Sequence, residues 1–114
     1  MKHLRKFAIL MAMALIVGCG GKPSRMDQRT YDLGCKALEI MDQYNKMEID
    51  EDSAYDQLDE IYKRLKSREF NENESDQEFQ NTLIVSDIFC YKVDMTAGKD
   101  LFKDADQLRK KLNK

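Results

Sequence analysis

Few residues in this chain have the type and spacing for chemistry. Three cysteines (Cys19, Cys35 and Cys90), one histidine (His3) and several acidic clusters are the whole inventory. No C-x-x-C pair occurs, and no histidine or basic cluster lies beside Cys35 or Cys90 to lower a thiol pKa, so redox or nucleophilic thiol chemistry is not indicated. Asp50, Asp52 and Ala54 open like a calcium loop, but Tyr55 takes the sixth place where glycine is needed and Ile61 the twelfth where a bidentate glutamate belongs. The same test fails on Asn71, Asn73 and Ser75, with Asp76 at six and Thr82 at twelve. No glycine-rich phosphate loop is present. Carboxylates such as Asp56, Asp59 and Glu60 fall on the polar side of an amphipathic pattern, where nothing raises a pKa for acid–base work. These residues predict no catalytic set, no metal and no cofactor.

The N-terminus is more informative. Lys2, Arg5 and Lys6 precede an apolar run from Phe7 to Val17, closed by Gly18 and Cys19. A basic start, a short apolar run and a small residue form an export signal; a bilayer span needs about 20 apolar residues. Ile16-Val17-Gly18-Cys19 resembles the lipobox of bacterial lipoproteins. That resemblance implies cleavage before Cys19, diacylglycerol on its thiol and a lipid anchor in the membrane, at the cell surface or the outer membrane. Gly20 is not the aspartate that retains many such proteins on an inner membrane. The division is then 1–18 signal peptide, 19–26 lipidated cysteine and flexible tether, and 27–114 folded domain.

Removing 18 of 114 residues leaves 96, enough for one small domain. The signal takes three basic residues and His3 with it, leaving 16 basic against 21 acidic residues. An acidic chain without a basic stripe excludes nucleic acid as a partner, and the loss of His3 removes any histidine base. With 35% charged and 42% apolar residues, the composition is that of a helical globule rather than a disordered chain. Outside the cytoplasm the remaining pair, Cys35 and Cys90, reads as a disulfide, with two buried free thiols as the alternative.

Hydrophobic spacing predicts an all-α fold, a small antiparallel bundle of about four helices whose first two form a hairpin. Leu33, Ala37, Ile40, Tyr44 and Met47, widened by Leu38 and Met41, mark a helix over 27–46. Ala54, Leu58, Ile61 and Leu65 mark a second over 50–65, capped by Asp50, with Asp59–Lys63 and Glu60–Arg64 as i,i+4 pairs. The span 68–74 reads as a loop, and Ser75 to Glu78 as a capping box. The following segment, 79–95, is apolar nearly all round, which predicts a helix buried between others. Gly98 ends it and Asp100 starts a last helix with Leu101, Ala105, Leu108 and Leu112 inward; one long kinked helix is the alternative.

Within this frame the remaining lead is aromatic. Tyr55 and Tyr62 lie on one edge of the second stripe and are the candidate partner-binding residues. The leading expectation is a non-enzymatic module that binds a protein at the cell envelope. A structural spacer or assembly accessory is the alternative, and a small-molecule carrier a further one. The hairpin over 31–65 faintly resembles small helical lipoproteins carried by bacteria and their phages, some of which block superinfecting phage.

Overall fold

A computed structural model describes residues 21–114. The signal segment, the lipobox and Cys19 lie outside the described residues. Four helices follow in order: α1 (Gln28–Asn45), α2 (Glu51–Lys66), α3 (Ser75–Thr96) and α4 (Phe102–Lys111), with a 3-10 turn at Glu72–Glu74 before α3. No strand occurs among the described residues. The fold is all-α, as the spacing predicts.

Local chemistry sets the ends. Asp27 caps α1 by accepting from the Thr30 N–H at 3.2 Å, and Asp50 caps α2 by accepting from the Ser53 N–H at 2.8 Å. The capping box lies one turn earlier than the sequence suggests. The Asn71 N–H donates to Glu74 Oε1 at 2.9 Å, whereas Ser75 already has helical angles (φ −61°, ψ −34°) and is the first residue of α3. Three helices close with the same C-terminal motif, in which one residue takes a left-handed conformation and the next N–H reaches back five residues. Those residues are Met47 (φ 61°), Gly98 (φ 79°) and Asn113 (φ 59°), and the returning bonds are Glu48 N to Gln43 O, Lys99 N to Asp94 O and Lys114 N to Arg109 O. Gly98 therefore breaks the in-phase pattern into two helices, and the single kinked helix does not form.

The core is built from Ala37, Ile40, Met41, Leu58, Ile61, Leu65, Ile84, Ile88, Met95, Leu101, Leu108 and Leu112 among others, all nearly inaccessible. Met26, predicted to be tether, is buried there as well, with its carbonyl accepting from Lys22 Nζ at 2.6 Å. Two expectations fail. Met47 continues the α1 stripe by spacing, yet it lies beyond the last helical turn and is 91% exposed. In α3 only the face of Ile84, Ile88, Tyr91 and Met95 is buried; Phe79, Phe89, Cys90 and Val93 point outward. Among the described residues no fifth element covers that side.

One buried polar chain sets the register of three helices. Thr30 Oγ1 on α1 donates to Asn81 Oδ1 on α3 at 2.9 Å, and Asn81 Nδ2 donates to the Leu65 carbonyl of α2 at 3.0 Å. Thr30 and Asn81 are both buried. The last helix is held mainly on α1. Asn45 Oδ1 accepts from the Leu101 N–H at 2.9 Å, Arg109 pairs with Asp42 at 2.8 Å, and Gly34 sits against Leu112, where a Cβ would come within 3.0 Å of Leu112 Cδ2. On the α3 side the contact is electrostatically mixed. Lys111 pairs with Asp87 and Lys99 with Asp94, but Asp104 meets Asp94 directly. Burial, a hydrogen bond shared with Asp94 and the nearby Asp87 charge push the Asp104 carboxyl up to about 6.

Two predictions follow from this packing. Asn81→Leu costs about 1–3 kcal/mol in urea unfolding, because the Thr30 hydroxyl loses its partner; adding Thr30→Val recovers part of the loss, a coupling that a double-mutant cycle measures. For Asp104 the folded pKa is raised, so the native state binds the extra proton and this group's stabilisation is lost as pH rises from about 4 through 6. The melting-temperature advantage of Asp104→Asn over the parent chain therefore grows across that window and levels off above it.

Candidate partner-binding surface

Tyr55 and Tyr62 are seven residues apart on α2, so both fall on the edge that meets α3. Each is half-buried against the core. Between them lies Lys92 of α3, only 8% exposed, its Nζ 5.1 Å from the Tyr55 ring centroid and 4.5 Å from that of Tyr62. Asp59, one turn from both tyrosines, accepts from Lys92 Nζ at 2.6 Å and also pairs with Lys63 at 3.1 Å. The ammonium is thus neutralised by a carboxylate and sandwiched by two π faces, which is how a lysine tolerates an apolar boundary.

Outside this staple the surface turns apolar. The Tyr62 ring meets Phe89 with centroids 6.4 Å apart at a 40° tilt, and Lys66 Nζ lies 5.5 Å from its other side. Phe89 is 53% exposed, and Val93, one turn on, is also exposed. Phe79, ten residues before Phe89 on α3, is exposed as well. The structure therefore joins Tyr55 and Tyr62 into one cluster and adds Lys92, Phe89 and Val93, which spacing alone did not single out. The signal was available: Phe89 and Val93 are an i,i+4 pair out of phase with the buried stripe.

The hydrogen bond from Lys92, then that from Lys63, holds the Asp59 carboxyl below the usual aspartate range. The arrangement is an aromatic and aliphatic patch edged by lysines.

The cysteines behave otherwise than the sequence suggests. Cys35 and Cys90 are both free, and no disulfide joins them. Cys90 sits two residues after the buried Ile88, on the opposite side of α3, so it faces solvent while α1 packs behind it. Cys35 is half-buried on α1, with Lys114 Nζ 3.9 Å from its Sγ. It borders an open recess of about 900 Å³ between α1 and the C-terminus, lined largely by charged side chains including Asp42 and Arg109. Burial and a hydrogen bond with Cys35 raise the pKa of the neighbouring Tyr31 hydroxyl. Among the described residues no group of three histidine, cysteine or carboxylate side chains converges as a metal site, and no helix is long and apolar enough to cross a membrane.

Compared with known proteins, the chain matches no family model, no curated protein and no solved structure.

The staple itself makes a measurable prediction. Lys92→Met moves the Asp59 carboxyl titration upward more than Lys63→Met does, as followed by carboxyl-carbon NMR. Because a depressed carboxylate stabilises above its unfolded pKa and loses that stabilisation as pH falls through the folded one, Lys92→Met also shrinks the acid-side loss of stability.

Proposed function

We propose that this chain is an exported lipoprotein, anchored through Cys19, that presents a non-enzymatic protein-binding module at the cell envelope. One observation carries the binding part of the reading: Phe89 and Val93 stand exposed one turn apart on α3, the Phe89 ring lies against Tyr62, and Phe79 is exposed nearer the start of the same helix. A spacer or assembly accessory needs only polar surfaces, and leaving three large apolar side chains in water has a solubility cost that a partner removes. A carrier needs space between helices. Here the interior is filled by fully buried side chains, and the described recesses open at the surface. The anchor rests on the sequence: the basic start, the apolar run of 7–17 and the lipobox-like 16–19. Its logic is additive, since each acyl methylene contributes about 0.8 kcal/mol and two or more chains hold a protein stably on a bilayer.

In-cell photo-cross-linking from position 89, comparing the native chain with Cys19→Ala and with Phe89→Ser, tests both parts. The expected result is one dominant adduct in the native chain. That adduct is weakened at least tenfold by Cys19→Ala through loss of co-localisation, and its capture from position 93 is weakened likewise by Phe89→Ser. Metabolic labelling with an alkyne fatty acid checks the anchor separately: the native chain takes the label and Cys19→Ala does not. Adducts scattered over abundant neighbours would favour the spacer reading.

A further inference from the structure

A second surface stands apart from the α2–α3 patch, at the end of the bundle opposite the point where the chain enters at Gly21. The antiparallel order brings the α1–α2 turn and the α3–α4 turn together there. Between them lies a recess of about 570 Å³ lined by Tyr44, Met47, Ile49, Gly98 and Phe102, with Glu48, Asp50, Glu51, Asp100 and Lys99 at its rim.

Met47 is the anomaly. Three helices of this chain end in the same left-handed cap, and two use residues suited to it, Gly98 and Asn113. The third uses methionine, whose Cβ clashes with the backbone in that conformation. Packing offers no compensation, because Met47 is 91% exposed. Neither backbone preference nor burial in the core favours methionine at this position. Methionine is also the side chain best able to adapt to a partner's contours. Phe102, the other apolar wall, is 58% exposed on the first turn of α4.

The rim says what kind of partner fits. Glu48, Asp50, Glu51 and Asp100 form no ion pair among the described residues, and Lys99 is engaged with Asp94. Asp50 and Asp100 also serve the starts of α2 and α4. Glu48 follows the C-terminus of α1, the negative end of that helix, where a cation is the locally favoured choice. A second copy of the chain would set two acidic rims face to face, and an anionic bilayer would be repelled.

We propose that this end of the bundle docks a basic polypeptide segment carrying an apolar side chain, with Met47 and Phe102 gripping that side chain and the acidic rim pairing with the flanking lysines or arginines. This site depends neither on the lipid anchor nor on the α2–α3 patch.

The test uses the full-length protein in detergent and a fluorescent peptide with a Leu-Phe pair flanked by lysines. The same peptide with glutamates in place of the lysines serves as the comparison. The lysine peptide binds, more weakly as salt rises, and the glutamate peptide does not. Met47→Gly weakens binding about tenfold while raising the melting temperature by a few degrees, since glycine accepts the left-handed backbone. Phe102→Ser weakens binding as well, and Phe89→Ser leaves it unchanged. A neutral substitution cannot alter nonspecific charge attraction, so unchanged binding in Met47→Gly overturns the proposal. So does loss of binding in Phe89→Ser alone, or equal binding of both peptides. A lower melting temperature in Met47→Gly would make Met47 a structural residue and remove the ground for the site.

Discussion

The chain from Thr30 through Asn81 to the Leu65 carbonyl is the constraint on which the rest of the bundle depends. Apolar stripes favour burial but are indifferent to sliding by a turn, because one leucine packs much like another. Two buried hydrogen bonds are not indifferent. They fix α1 against α3 and both against the end of α2. Everything further along those helices inherits that register, including the placement of Lys92 between Tyr55 and Tyr62 about three turns away.

The fourth helix is attached on different terms. Toward α1 it has close apolar contact at Gly34 and Leu112, a capping amide from Asn45 and the Asp42–Arg109 pair. Toward α3 it brings Asp104 against Asp94, a contact that favours a shared proton over two charges. The asymmetry holds α4 mainly on α1, with Leu101, Ala105, Leu108 and Leu112 reaching the core, and among the described residues no element covers the outer face of α3. The exposed phenylalanines are thus a consequence of connectivity: three helices enclose one another, the fourth goes to the other side, and α3 keeps an apolar face in water.

Up-down-up-down order also separates the molecule's two ends. The chain entry, the 67–74 connection and the C-terminus lie at one end, and the 46–50 and 97–101 turns at the other, about 27 Å away along the 18 residues of α1.

Much of the fold was legible in the residues alone. The stripes of α2 and α4 were read residue for residue, and so were the Asp50 cap, both i,i+4 pairs and the stop at Gly98, because each is local chemistry with a fixed spacing. Errors came where spacing continues past the point at which geometry changes. Met47 kept the α1 phase into a left-handed cap, Met26 looked like tether but is core, and Ser75 to Glu78 mimicked a cap that Asn71 and Glu74 provide. Of the candidate patch, the tyrosines were visible but Lys92, Phe89 and Val93 were not. Pairing Cys35 with Cys90 failed for a related reason: two thiols on buried-looking helices carry no information about which way either faces. By itself the sequence determined the helices, the Asp50 cap, the stop at Gly98 and the all-α class, since periodicity and capping act within a few residues. Which faces meet, which cysteines stay apart and which apolar side chains remain in water were decided only by the tertiary structure, because those depend on contacts between residues dozens of positions apart.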